Sequence, residues 1–359
     1  MARRSTPSRV STVTGWLVFC AGTLSLSAIA VVFAGYLGEW LPGLPAWFVT
    51  AAFILTLGAI NFWGMRQSSV ANIVCTIIEA SGLVLVIVVG GYFLATTSQA
   101  PTPETPSPLA LGAADWTGVM QGAALAFFAF IGFQDMVNVA EEVHEPRRNF
   151  PAAILTALGI AGITYIIIAV IATSVVDPAV LGESDAPLTD VVAVATGDGP
   201  VLDVFPVIAL FAVANTGLLN FIMASRLLYG MAGQGLVPAP LAAVHRRRRT
   251  PHWAILTVLL AALALALSGT LSYLAGSTST LLLVVFLTVN LALVMVKRRE
   301  PDPGGDGLRV PVAVPLLGVA ITGAVIGFAE PSVLLTTAAL AAVGAGLWGI
   351  RRYTTGTAG

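Results

Sequence analysis

The sequence predicts an all-α protein that crosses a membrane about ten times. Three observations point there. The chain is 57% hydrophobic and only 10% charged, whereas an ordinary soluble domain is about 25% charged. Its apolar residues come in blocks of about 20, the length that crosses a bilayer core as helix, and not in the short alternating segments of a membrane β-barrel. Basic residues gather in every second connection between the blocks, the positive-inside pattern of a polytopic helical protein.

The blocks give spans at 12–37, 46–64, 70–95, 117–139, 151–176, 204–232, 253–270, 274–296, 311–329 and 332–350. Arg3, Arg4 and Arg9 precede the first. A signal peptide ending near Ala28-Ile29-Ala30 is the competing reading, but the apolar run continues to Leu37, which favours a retained span. The second and third spans are split by Arg66, and the Pro-rich PTPETPSP segment follows the third as an outer loop that need not be ordered. The fifth begins at Pro151, whose missing N–H costs nothing in the first turn of a helix. The sixth is long, and its Arg226 snorkels to the inner surface.

Basic residues sit before the first span, at Arg66, at Arg147 and Arg148, at Arg246 to Arg249, at Lys297, Arg298, Arg299 and Arg309, and at Arg351 and Arg352. The alternate connections carry Glu39, Glu104, Asp115, Asp177, Glu183, Asp185, Asp190, Asp198 and Asp203 instead. Both termini are therefore expected on the cytoplasmic side of the plasma membrane. The HRRRR run falls in an inner loop, so cytoplasmic anchoring and contact with anionic lipid explain it better than nucleic acid. Cys20 and Cys75 lie inside spans and imply no disulfide framework, and His144, His245 and His252 lack the spacing of a zinc site. No P-loop, HExxH or Ser/His/Asp setting occurs, so neither an enzyme nor a cofactor is expected.

Polar residues inside the spans mark the candidate site. The fourth span runs FFAFIGFQDMVNVAEEVHEPRRNFP from Phe127, opening apolar and turning polar after Gly132. A glycine there weakens helix and admits close approach of a ligand. Gln134, Asn138 and Glu141 recur at helical spacing on one face, which must look into the protein or into water. Transporters use such discontinuous helices to bind substrate near the midplane. The aromatic run Phe127, Phe128, Phe130 and Phe133 beside it favours a walled ligand site over simple small-residue packing.

In the third span, Asn72, Thr76 and Glu79 form a polar stripe. Glu79 lies about 15 Å along the helix from its cytoplasmic end, with no lysine or arginine in the middle of any span to pair with it. An unpaired intramembrane carboxyl group is a candidate proton carrier or cation ligand, and a protonated acid bonded to a neighbouring helix is the bland alternative. Asn215, Thr216 and Asn220 of the sixth span either line the same cavity or act as interhelical hydrogen-bond glue. Glu141 and Glu142 face Arg147 and Arg148 as an inner ion-pair latch, or form a plain solvated loop.

These motifs together resemble one family. FFAFIGFQDMVNVAEEVHEPRRNFPAAIL resembles the sixth-helix signature of amino acid permeases, in the amino acid, polyamine and organocation transporter superfamily. SRLLYGMAGQGLVP followed by RRTPHWAI resembles that group's eighth-to-ninth helix junction, and INFWGMRQSSVANIVCTIIEASGLVLVIVVG its fourth and fifth helices. The resemblance implies a single permease domain over residues 1–359 with the inverted-repeat fold typified by LeuT. Residues 12–95 match helices three to five, 117–296 match six to ten, and 311–350 form two C-terminal helices. The first two helices of the family pattern are then missing from the chain. The resemblance places the backbone end of an amino acid at Phe128, Ala129, Ile131 and Gly132, with Phe130, Phe133 and Asn215 completing the expected substrate set. Glu79, Gln134, Glu141 and Glu142 form the expected coupling and gating set. Gln134 stands where many relatives carry an acid, and Glu79 at or near a place where some carry a lysine in lieu of a sodium ion.

The function expected is alternating-access transport of an amino acid or related amine, driven by protons. Phe128, Phe133 and small Ala129 suggest a pocket that excludes bulky charged groups. The alternative is a non-transporting permease remnant or an accessory membrane subunit. Expected partners are the small solute and membrane lipid, with an oligomer or complementing subunit as a further possibility.

Overall fold

The computed structural model describes residues 9–64, 69–97, 116–133, 144–197, 199–299 and 310–356. These form twelve α-helices: α1 (Arg9–Trp40), α2 (Ala46–Trp63), α3 (Ser69–Thr96), α4 (Trp116–Ala126), α5 (Pro146–Val175), α6 (Pro178–Glu183), α7 (Pro187–Thr196), α8 (Pro200–Gly233), α9 (His252–Ser268), α10 (Leu271–Arg299), α11 (Ala313–Gly327) and α12 (Pro331–Gly356). Short 3-10 turns follow α4 at Phe127–Phe130 and α8 at Ala239–Ala242. The protein is an all-α, multi-pass membrane protein.

Seven of these helices, α1, α2, α3, α5, α8, α10 and α12, are long and apolar enough to cross a bilayer. Among the described residues the expected count of about ten is therefore corrected to seven by the criterion of length. The other three expected spans correspond to shorter apolar helices. α9 has 17 residues and stops where Gly269 turns extended, with φ −108° and ψ 149°. α11 has 15 residues, a rise of about 22 Å against a hydrocarbon core of about 30 Å. Of the fourth expected span, 117–139, the described part is α-helical to Ala126 and 3-10 from Phe127 to Phe130, and 134–139 lie outside the described residues.

Prolines set several boundaries that apolarity alone misplaced. α5 starts at Pro146, not Pro151, with Pro146 in its first turn and Pro151 inside the helix. The acidic connection after α5 is itself helical, with Pro178, Pro187 and Pro200 each in the opening turn of α6, α7 and α8. Asp177 caps α6 by accepting the Ala179 N–H at 2.8 Å.

Two apolar clusters hold the helices together. The larger centres on α1, where Leu24, Leu26 and Ala28 pack with Phe221 and Leu228 of α8, Val258 of α9 and Leu281 and Leu282 of α10. The smaller joins Val86 of α3, Ile171 of α5, Val191 and Val192 of α7 and Phe205 of α8. Glycines allow the closest crossings. A Cβ at Gly58 would fall 2.4 Å from Leu259, and one at Gly217 would meet Leu57, Phe53 and Ile29 at 3.1–3.2 Å. Small residues at such contacts let helices pack where lipid supplies no hydrophobic drive. Ile160, Ile163 and Ile166 of α5 stay exposed, as suits side chains that meet lipid tails.

Candidate functional site

The helix that begins at Trp116 stops being α-helical at Ala126 and tightens into a 3-10 turn through Phe130. Ile131 is then extended, with φ −66° and ψ 134°, and its N–H donates to the Phe128 carbonyl at 3.1 Å. Gly132 follows at φ +124°, a conformation that L side chains rarely adopt. Among the described residues nothing lies within 4 Å of the place a Cβ would take, and the backbone conformation itself calls for glycine here.

α5 braces the break. The Tyr165 hydroxyl donates to the Ala129 carbonyl at 3.1 Å, a group that a continuous helix would pair with a backbone N–H one turn on. The Phe130 ring packs edge-on against Tyr165, centroids 5.3 Å apart, and over Gly162. Phe128 and Ile131 pack against the large core.

A cleft of about 380 Å³ opens beside the break, between α4, α10 and α11. Phe127 and Phe133 line it from the broken segment. Phe286 of α10 joins them, edge-on to Phe127 at 5.8 Å and stacked on Phe133 at 5.3 Å. Asn290 and Thr322 supply its polar groups. Asn290 lies over Gly318 of α11, where a Cβ would fall 2.8 Å from its Oδ1, and its amide donates to the Phe286 carbonyl at 2.9 Å. Thr322 donates back to the Gly318 carbonyl. The cleft is a largely apolar pocket with a few fixed polar groups, as small-molecule sites generally are.

Glu79 and Asn215 form a separate polar contact. Asn215 Nδ2 on α8 donates to Glu79 Oε1 on α3 at 2.8 Å, with both residues half-buried. Thr216 and Asn220 instead bond to carbonyls of their own helix, those of Ala212 and Thr216. Another interhelical bond runs from Asn61 Nδ2 of α2 to Ser225 Oγ of α8 at 3.0 Å.

The expected substrate set is thus divided. Phe133 lines the cleft, while Phe128, Ala129, Phe130, Ile131 and Gly132 form the break beside it. Asn215 is not among the cleft's lining residues and belongs with Glu79. Gln134, Glu141 and Glu142 lie outside the described residues. The sequence reading missed Phe286, Asn290 and Thr322. Asn290 was the one available signal, a lone amide in the apolar run of α10. Among the described residues, no three or more His, Cys, Asp or Glu side chains come together as a metal site, and the chain carries no catalytic motif.

Residues 1–350 match the family described as "Amino acid permease". The chain is 31% identical over 342 residues to an uncharacterized transporter of Mycobacterium tuberculosis (strain ATCC 25618 / H37Rv), covering 95% of this chain and 73% of the relative. It is 25% identical over 320 residues to a branched-chain amino acid permease of Bacillus subtilis (strain 168), covering 81% and 64%. It is 27% identical over 310 residues to the vacuolar cationic amino acid transporter 2 of Arabidopsis thaliana, covering 82% and 48%.

Proposed function

The chain belongs to the amino acid permease family, and from that premise we propose that it is a secondary transporter of an amino acid or a related amine. It moves its solute across the cytoplasmic membrane by alternating access, and protons drive it. The observation that carries this reading is the break at Ile131-Gly132 beside an aromatic-walled cleft. A helix interrupted within the membrane takes backbone N–H and C=O groups out of the regular helical ladder, where the polar end of a small zwitterion can meet them. Phe128 to Phe133 hold that end, and Phe127, Phe133 and Phe286 close over the rest. The Bacillus and Arabidopsis relatives are named for amino acids of different chemistry, so the family supports amino acid transport and leaves the side-chain preference to this chain's own cleft.

Glu79 takes the coupling role in this reading. It is a carboxyl group within a span, and Asn215 presents an amide to one of its oxygens. The contact joins α3 to α8 and so ties the proton site to the packing of two long helices. The shorter helices α9 and α11 and the broken α4 pack beside the seven long helices, and both termini lie on the cytoplasmic side in this reading. Lys297, Arg298 and Arg299 in the last turn of α10 support that orientation.

The test is counterflow. Liposomes containing the purified chain are preloaded with one unlabelled amino acid at a time and given its labelled form outside. Stimulated entry of at least one amino acid or amine supports the reading. No stimulation by any member of a panel spanning acidic, neutral, aromatic and basic amino acids and simple amines would contradict it.

A further inference from the structure

The C-terminal end of α2 meets the loop that leads into α9, residues His245–Thr250. Thr250 Oγ1 donates to the Phe62 carbonyl, in the last turn of α2, at 3.1 Å. The Arg248 guanidinium lies 5.0 Å from the Trp63 ring centroid and 5.8 Å from that of Phe62, a cation–π contact at the negative end of a helix. The His245 ring stands edge-on to Phe62 at 5.5 Å. Gly64 ends α2 at φ +75°, and a Cβ there would fall 3.0 Å from Thr250 Cγ2.

Backbone bonds close the loop on itself. The His245 N–H donates to the Thr250 carbonyl at 2.9 Å, and the Arg249 N–H to the His245 carbonyl at 2.8 Å. The Arg248 N–H donates to His245 Nδ1 at 3.3 Å. Arg249 takes φ +56°, uncommon for a bulky side chain. The four consecutive arginines thus divide. Arg248 is committed to α2. Arg246, Arg247 and Arg249 are exposed, and their side chains have no hydrogen bond or ion pair among the described residues.

Two further features point to an anion and to its source. No side chain caps α9, whose first turn follows the loop directly, and the N–H groups of a helix N-terminus favour negative charge. Trp63 and Trp253, 60% and 48% exposed, flank the loop in sequence on α2 and α9. Tryptophan on a spanning helix is favoured where headgroups meet hydrocarbon. A free anion in solution makes no use of those rings, whereas a phospholipid does. A basic loop by itself draws anionic lipid only diffusely. Here loop closure and the Arg248 clamp hold three guanidinium-bearing residues at one place.

We propose that this α2–α9 corner binds the headgroup of a single anionic phospholipid of the inner leaflet. Arg246, Arg247 and Arg249 pair with its phosphodiester, and the N-terminus of α9 faces the same charge. Trp63 and Trp253 lie against the glycerol and the first chain carbons. Arg248 positions the loop and does not itself bind the lipid. The bound lipid ties α2 to α9, and it stabilises the folded protein as any ligand of the native state does. None of this depends on the transport reading.

The test uses the full chain in neutral detergent micelles carrying equal amounts of phosphatidylglycerol and phosphatidylcholine, with retained lipid identified by native mass spectrometry. Wild type is expected to keep one phosphatidylglycerol in preference to phosphatidylcholine. The triple variant Arg246→Gln/Arg247→Gln/Arg249→Gln is expected to weaken that retention at least about tenfold, and lysine at the same three positions to keep most of it. Lys297→Gln/Arg298→Gln/Arg299→Gln removes as many charges from the end of α10 and is expected to leave retention within about twofold. Trp253→Leu is expected to weaken it. Melting temperatures in phosphatidylcholine alone confirm each fold, and should the triple variant not fold, Arg246→Gln and Arg247→Gln singly carry the test with the same direction expected. Equal loss in the two triple variants would reduce the effect to diffuse attraction and overturn the site, as would a wild type without preference for phosphatidylglycerol. Displacement of the retained lipid by inorganic phosphate would assign the corner to a soluble anion and overturn the lipid.

Discussion

Glu79 accepts the Asn215 amide through Oε1, and an amide in its place keeps an oxygen there. Glu79→Gln therefore separates shape from titration. Uptake driven by a pH gradient is expected to fall about tenfold or more while counterflow stays within about twofold, the pattern of a lost proton carrier. Initial rates with and without the gradient check it, and gradient-driven uptake equal to wild type would remove Glu79 from the coupling role. Gly132 sits at φ +124°, with no atom of the described residues within 4 Å of a Cβ built there. Gly132→Ala thus strains the backbone by about 1–3 kcal/mol. Counterflow is expected to drop about tenfold, and the melting temperature to fall modestly. Both residues were legible in the sequence, one as an uncompensated acid in a span and the other as a glycine where apolarity gives way. Asn290 and Thr322 were not. Whether a lone polar side chain in an apolar helix faces a cavity, a neighbour or its own backbone is decided by tertiary packing that periodicity does not encode.

α4 and α5 act as a pair. Tyr165→Phe removes the hydroxyl that donates to the Ala129 carbonyl but leaves the ring against Phe130. It is expected to cost about 1 kcal/mol of stability and to slow counterflow more than that loss accounts for, because the brace on the break is gone. A variant with wild-type rates would show that the break holds its shape unaided. At the crossing of α1, α2 and α8, Gly217→Val places new atoms against Leu57, Phe53 and Ile29. It is expected to destabilise by about 1–3 kcal/mol, read as a lowered melting temperature. The helices themselves were legible because long apolar blocks have few alternatives. Their ends were less so. Pro146 opens α5 ahead of Pro151, α6 and α7 occupy a connection that reads as loop, and Gly269 ends α9 early. Each of these is a local backbone event, set by a proline, a cap or a glycine, inside or beside a stretch whose hydropathy does not change at that residue.

Across the whole molecule, basic and acidic connections alternate along the sequence. Seven helices among the described residues meet the length of a bilayer crossing, and the segregation of basic and acidic connections in the sequence runs through the shorter ones as well. A cysteine at Ser272 is expected to react with a membrane-impermeant maleimide added outside intact cells. One at Arg299 is expected to react only after the membrane is opened. The reverse pattern would invert the topology.

The most direct test of the central claim is concentrative uptake. Liposomes containing the purified chain, buffered alkaline inside and acidic outside, are offered each labelled amino acid or amine active in counterflow. Accumulation above the external concentration, abolished by a protonophore, is the result expected of a proton-driven permease. Equilibration to the external concentration and no further, with the gradient intact, would contradict proton coupling. No entry of any solute would contradict transport by this chain.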